Sequence, residues 1–494
     1  MNGQVSPPLE GRSRDRGWLP EPAPVGWLTR RDSYPWLVVC VTCLGAFAGQ
    51  VDASIVQLAL PTFEHAFGTP LNEVTWVAVA YSLSFAAVLP IYARLAEMAG
   101  RKLMYIVGFA LFGVFSALAG VAPSLPWLIV FRALQGISGA LLGANSVVIL
   151  VAAAGPARRV RAMGIFAGAQ AIGVSAGPAI GGVLLGSLSW HWIFWVTVPF
   201  AALGAVLGWL LVPVSGRPAT DTSFDWIGAL LLVPALTALM LAISKLNAWG
   251  ALSAGVLCCA AVAILLFVGF IRQERRTPAP LIDLGLFRSW AFSGGTVAVL
   301  LSYAMLYGMF FTMAFALVRG YHDAPLAAGL RLAIVPVALG AVAPFSGGVA
   351  ERRPRLVMLG GMAVCVAAVV WLRWCLTGTP DSLPAVMAAL AVYGAGLGLF
   401  IAPNNSATLS AAPAEHAGQA GGLLNLMRAF GTAAGVATAS ALLAWRLELA
   451  TGLHERTIGV SEHGLLGAAG DVMLLRAAYA AMAAVASSLK EGRA

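Results

Sequence analysis

About 20 consecutive apolar residues are enough to cross a bilayer as a helix, and this chain supplies such a run fourteen times. The runs lie near 36–60, 74–96, 103–122, 126–153, 163–188, 190–213 and 226–244, then near 251–271, 290–318, 325–349, 356–376, 382–408, 418–445 and 472–489. In hydrocarbon a backbone must satisfy its own N–H and C=O groups, so runs of this kind become helices. The expectation is an all-α membrane protein of about fourteen transmembrane helices. Charge agrees, since only 10% of the 494 residues are charged and 60% are hydrophobic. A soluble chain is nearer a quarter charged.

The net charge of +9 does not indicate nucleic acid. Arginines sit in short clusters between apolar runs, as at Arg158, Arg159, Arg161 and at Arg352, Arg353, Arg355. Membrane proteins mark cytoplasmic loops in this way. With the N-terminus inside, about 21 of the 30 basic residues fall on the cytoplasmic side, and the C-terminus falls there too. Residues 1–35 are polar, rich in Pro and Gly, and expected to be a disordered cytoplasmic segment without a secretory signal. Lysine occurs only at Lys102, Lys245 and Lys490. So strong a preference for arginine suggests a GC-rich bacterial genome, and the expected location is a bacterial inner membrane. The six cysteines show no ligand spacing with histidine and read as small buried residues.

The chain also repeats itself. Residues 90–101, PIYARLAEMAGR, align with 344–355, PFSGGVAERRPR. Pro90, Ala96, Glu97 and Arg101 fall on Pro344, Ala350, Glu351 and Arg355 at one offset of 254 residues, which also carries Gly168, Gly177 and Gly181 onto Gly422, Gly431 and Gly435. Two parallel six-helix halves follow, 36–213 and 290–494, with two inserted helices and a linker at 214–289. Transporters built from parallel repeats place a binding site between the halves.

Charges inside spans are costly and usually functional. Asp52 is the one acidic residue deep in the first six spans, and Arg132 lies in the fourth. Asp52 is roughly 24 Å from the inner edge and Arg132 roughly 10 Å from the outer edge, by helical rise. Both belong to the outer third of the core, where a carboxylate and a guanidinium can pair and exchange a proton. At the repeat position of Asp52 the second half has Leu306, which assigns proton chemistry to the first half. The fifth span spaces Gly164, Gly173, Gly177, Pro178, Gly181 and Gly182 as G-x8-G-x3-G-P-x2-G-G. Glycines let helices approach closely and Pro178 removes a backbone donor, a pattern suited to a gate that rocks. Glu97, Gly100, Arg101 and Lys102 form the loop between spans two and three, where Glu97 can bridge to basic neighbours. Gln57, Asn145, Gln170, Asn404, Asn405, Asn425 and Arg428 are polar side chains within spans, and so candidates for a substrate cavity.

These segments resemble the major facilitator superfamily, and within it the fourteen-span branch of drug/proton antiporters, the EmrB/QacA type. DASIVQLALP (52–61) is similar to that branch's first-span motif, with Asp52 at the acidic position. ARLAEMAGRK (93–102) resembles the superfamily loop G-x-L-x-D-R-x-G-R-K, departing at Ala93, Glu97 and Met98. LIVFRALQGISGA (128–140) is similar to the fourth-span motif, with Arg132, Gln135 and Gly136 in place, and the fifth span follows the antiporter pattern in full. SWHWIFWVTVP (189–199), with His191 and Thr197 substituted, PLIDLGLFR (280–288) and APNNSATLSAAP (402–413) also resemble the branch.

The resemblance implies the major facilitator fold, two six-helix bundles plus two inserted helices. It implies proton coupling at Asp52, Arg132 and Gln135, and gating by the loop and by the glycines of span five. The activity implied is export of small amphipathic molecules such as antibiotics in exchange for protons, by a monomer. No cofactor, metal or nucleic acid is called for, the proton gradient being the driving force, and nothing in the sequence indicates an enzyme. Two rivals are an exporter of one native metabolite and a non-transporting membrane sensor. A third, a symport importer, is disfavoured by the glycine pattern of span five.

Overall fold

In the computed structural model the described residues are 21–215, 224–250, 252–278, 280–350, 353–413, 417–451, 457 and 459–488. Among these residues fourteen helices are long and apolar enough to span a membrane. The first six are α1 Tyr34–Phe67, α2 Leu71–Ala99, α3 Arg101–Ala119, α4 Leu125–Ala154, α5 Arg161–Ser187 and α6 Trp192–Leu211. Then come α7 Trp226–Ser244 and α8 Ala254–Glu274. The last six are α9 Trp290–Gly320, α10 Pro325–Ser346, α11 Pro354–Cys375, α12 Pro380–Ser410, α13 Gln419–Ala450 and α14 Glu462–Ser488. Fourteen successive spans would put the start of α1 and the end of α14 on one face, called here the terminal face.

Local chemistry sets the helix ends. α1, α4 and α11 begin with Pro in the first turn, where a missing N–H costs nothing. Asp225, Ser253 and Ser289 cap α7, α8 and α9 by accepting from Gly228 N, Val256 N and Phe292 N. α2 stops at Gly100, whose φ of 106° is hard for any residue with a β-carbon.

The packing repeats itself. In the first half α1 lies on α5, α2 on α4, and α3 on α6; in the second half α9 lies on α13, α10 on α12, and α11 on α14. The fold is therefore the major facilitator arrangement of two six-helix bundles. The bundles meet where α5 packs on α10, α2 on α13 and α1 on α9. α7 and α8 pair with each other, and α7 rests against α2 and α13. α9 is the most enclosed span and α8 the least. Leu257, Ile264, Leu265 and Phe267 of α8 are exposed, as a lipid-facing surface requires.

The segment before α1 corrects one expectation. Residues 21–35 are ordered rather than disordered, with a short helix at Gly26–Thr29. The reason is Glu21, a buried carboxylate that accepts from Leu103 N (3.3 Å), Ser215 N (2.6 Å) and Ser215 Oγ (2.8 Å). Residues 1–20 lie outside the described residues, as does Glu351, the repeat partner of Glu97.

Candidate functional site

Four helices of the first bundle, α1 to α4, converge on a closed polar cluster. Arg132 Nη1 donates to Asp52 Oδ2 at 2.7 Å and to Gln135 Oε1 at 2.5 Å. Gln135 Nε2 donates to Asp52 Oδ1 at 2.9 Å and to Ser116 Oγ at 3.2 Å. Arg132 Nε donates to the Val77 carbonyl at 3.1 Å. Asp52 is 0% and Arg132 1% exposed, so each charge depends on the other. Arg132 and Gln135 are one helical turn apart on α4 and face α1 together. The Arg132 guanidinium lies over the Tyr81 ring, 4.4 Å from its centroid, and 5.7 Å from that of Phe194.

Sequence reasoning missed two members of this network. Ser116 of α3 pairs with Thr197 of α6 at 2.6 Å and donates to the Phe194 carbonyl at 2.8 Å. Thr197 stands where the branch pattern has Asn, so its substitution was visible but its contact was not. Ser116 sits in an ordinary apolar run with no flanking signal.

Next to this cluster a cavity opens between the bundles. Gln50 and Ala53 of α1, Tyr81 of α2, Gln170 of α5, Tyr303 and Tyr307 of α9, and Asn425 and Arg428 of α13 line it. Tyr81 belongs to both places, since it lines the cavity and its ring covers Arg132. Tyr307 donates across the bundle interface to Gln50 Oε1 at 3.2 Å.

Of the seven cavity candidates, Gln170, Asn425 and Arg428 are in this lining. Gln57, Asn145, Asn404 and Asn405 are not. Asn145 turns its amide to the Leu141 carbonyl (2.7 Å) and Asn404 turns its own to the Gly295 carbonyl (3.0 Å). An amide in a span is satisfied by the nearest free backbone oxygen, and polarity alone does not say that it faces a cavity. Gln57 is buried on α1 and Asn405 is half-buried on α12.

The span-five residues divide by depth. A β-carbon on Gly173 would stand 2.8 Å from the Phe47 carbonyl oxygen, and one on Gly181 2.8 Å from Ile55 Cγ1. One on Gly182 would stand 2.7 Å from the Pro325 carbonyl oxygen of α10. On Gly177 it would overlap Ser54 and approach Ile55 N to 3.0 Å, and the carbonyl of Pro178 is against Gly329. Gly164, near the terminal face, has nothing within 4 Å of that position, nor has Gly168. α5 and α10 thus press together most closely near the face opposite the termini.

Other inter-bundle contacts lie at that opposite face. Thr75 and Ser440 hydroxyls are 2.7 Å apart. Buried Glu64 accepts from Thr457 N at 2.9 Å and from the Thr457 hydroxyl, while Arg319 Nη2 donates to the Pro61 carbonyl at 3.3 Å.

On the terminal face, Glu97 bridges Arg94 at 2.8 Å and Arg101 at 3.4 Å, both in its own segment. The Arg101 and Lys102 amides donate to Ser215 Oγ (2.7 and 3.2 Å), and Lys102 Nζ donates to the Val212 carbonyl at 2.6 Å. Gly100 presses against the Glu21 carboxylate, leaving no room for a side chain.

The chain is similar to known transport and resistance proteins. The chain is 32% identical over 417 residues to the multidrug resistance protein Stp of Mycobacterium tuberculosis, covering 83% of this chain and 76% of that one. It is 31% identical over 416 residues to the tetracenomycin C resistance and export protein of Streptomyces glaucescens, covering 84% and 77%. In fold it is similar to a bacterial homologue of the human lysosomal transporter Spinster (TM-score 0.63, 16% identity, 92% of this chain and 98% of that chain). It is also similar to a POT family transporter (TM-score 0.64, 15% identity, 90% and 94%). The family model of the Major Facilitator Superfamily matches residues 42–436, so this chain belongs to that superfamily and is a transport protein rather than an enzyme.

Proposed function

We propose that the protein is a proton-driven exporter of small amphipathic molecules, antibiotics among them, across a bacterial inner membrane with both termini in the cytoplasm. The observation that carries this reading is the buried Asp52–Arg132–Gln135 cluster beside the inter-bundle cavity, with Tyr81 both over Arg132 and in the cavity lining. A carboxylate in a dry site holds its charge only while the guanidinium compensates it. A proton arriving from outside neutralises Asp52 and releases Arg132 to its remaining partners, Gln135 and the Val77 carbonyl. Tyr81 rides on that guanidinium and reports the change to the cavity wall. Loss of the proton to the cytoplasm restores the pair.

Alternating access follows from rocking one bundle on the other about the α5–α10 and α2–α13 seams. With the bundles joined at the face opposite the termini, the structure suits a state that loads from the cytoplasm. The protein works as a monomer on its substrate and protons, with no cofactor.

The test is uphill transport in proteoliposomes with an imposed pH gradient, using a panel of aromatic antibiotics. Asp52→Asn is expected to abolish accumulation while leaving the protein folded. Undiminished uphill transport by that variant overturns the assignment.

A further inference from the structure

Resting on the export reading, we propose that the cavity selects substrates with one anionic group on an aromatic body, and that Arg428 is the residue that reads the anion. The lining holds one permanent charge, Arg428, and no carboxylate. Most other arginines inside the spans have a counter-charge or several acceptors on their terminal nitrogens. Arg132 pairs with Asp52, Arg331 with Asp323, and Arg373 and Arg446 share Asp471. Arg476 has no carboxylate but donates to the Val472 and Gly308 carbonyls and to Thr312 Oγ1.

Arg428 differs. Its Nη1 makes one long bond, 3.3 Å, to Asn425 Oδ1, its Nε, like that of Arg476, is buried with no acceptor, and unlike Arg476 it lines the cavity. No carboxylate among the described residues pairs with it. An uncompensated cation at this depth is expensive unless something else supplies the charge. A planar guanidinium with an idle Nε–H is matched by a carboxylate, sulfonate or phosphate, each of which accepts two parallel N–H bonds.

The rest of the wall fits an aromatic body. Tyr303 lies under the Arg428 guanidinium at 5.6 Å, and Tyr81, Tyr307, Phe85 and Phe166 also line the space. Neutral amides at Gln50, Gln170 and Asn425 serve hydroxyl and carbonyl substituents without adding charge. A dication entering here meets a like charge and finds no carboxylate to offset its desolvation. An aromatic monoanion completes the Arg428 acceptor set and stacks on tyrosines.

Three dansyl probes with one ring system test this: dansylglycine (anionic), dansylamide (neutral) and dansylcadaverine (cationic). Binding to the purified full chain in detergent is read by fluorescence, with no gradient required. The wild type is expected to bind dansylglycine at least about 10-fold more tightly than dansylcadaverine, the scale of one charge-assisted hydrogen bond gained. Arg428→Gln should weaken dansylglycine by about 10- to 100-fold and leave dansylamide within about 3-fold, which also shows that the variant is folded. Arg428→Lys should keep the order of preference at reduced strength.

Equal or tighter binding of dansylcadaverine by the wild type overturns the proposal, as does an unchanged probe ratio in Arg428→Gln or a wild type that does not bind dansylglycine. The two readings fail separately. A preserved ratio in a protein that pumps nothing in energised vesicles sinks export and keeps the anion site. Active pumping without the ratio does the reverse.

Discussion

The two bundles share one packing scheme and differ in what they do with buried charge. Gly177 and Gly181 bring α5 onto α1; at the repeat positions Gly431 and Gly435 bring α13 onto α9, with backbone carbonyls of Leu300 and Ala304 so close that a β-carbon would overlap them. Between these seams the chemistry diverges. The first bundle encloses an acid, a base and an amide that satisfy one another. The second has Leu306 in place of the acid, and its enclosed arginine, Arg476, is held by carbonyl oxygens and a hydroxyl. Its other deep cation, Arg428, faces the cavity. Glycine spacing is the cost of packing two helices closely, so duplication preserves it. Charge is the cost of function, so each bundle keeps only the part it uses.

The comparison breaks most visibly at Arg132. Arg132→Leu strands Asp52 as an uncompensated buried carboxylate, a loss of about 3–5 kcal/mol for a pair of this kind. Asp52→Asn combined with Arg132→Leu removes both charges and should recover most of that stability, with transport still absent. Thermal unfolding of the reconstituted variants measures the first statement and uphill transport the second. Equal instability in the single and double variants would show that Asp52 and Arg132 do not depend on each other.

The seams give the next effect. Gly177→Leu and Gly431→Leu overpack equivalent interfaces, and each should cost about 1–3 kcal/mol and block movement between states. Gly164→Ala, where nothing stands within 4 Å, should stay within about 0.5 kcal/mol of wild type and transport normally. Cysteine accessibility from the two sides of the membrane reads the block directly. A defect in Gly164→Ala equal to that in Gly177→Leu would mean that glycine matters in α5 for its flexibility and not for its contacts.

How far the sequence could be read follows from the physics of each feature. The fourteen spans and the repeat were legible because hydrocarbon imposes one length and one backbone solution. Asp52 and Arg132 stood out because a charge in a span is rare, and helical rise was enough to put them at one depth. Rotation about the helix axis was not legible. Gln57 and Asn145 are as polar as Gln170, yet only Gln170 meets the cavity. Ser116 and Tyr81 carry no signal of their own and gain their roles from neighbours more than 15 residues away in sequence. Glu21 lies in a stretch that composition marks as loose, and it is ordered by donors supplied from 103 and 215.

The smallest predicted effect sharpens the contrast from the side of the second bundle. Arg476 is as deeply buried as Arg132, at 1% exposure, and burial alone would make the two equivalent. Their partners do not. Arg132 is bound to a group that can take up a proton, whereas Arg476 is bound to the Gly308 and Val472 carbonyls and to Thr312 Oγ1, at 3.0 Å for the last. None of those acceptors titrates, so Arg476 fixes α14 against α9 and does not change state during transport. Thr312→Val keeps the shape and removes one acceptor, and an interhelical hydrogen bond in a membrane is worth roughly 0.6 kcal/mol. Unfolding should therefore shift by only a small amount, and uphill transport should stay within about 2-fold of wild type, since 0.6 kcal/mol is less than a factor of three. Loss of transport in a Thr312→Val protein of near-normal stability would place Arg476 in the coupling machinery and end the division of labour between the bundles.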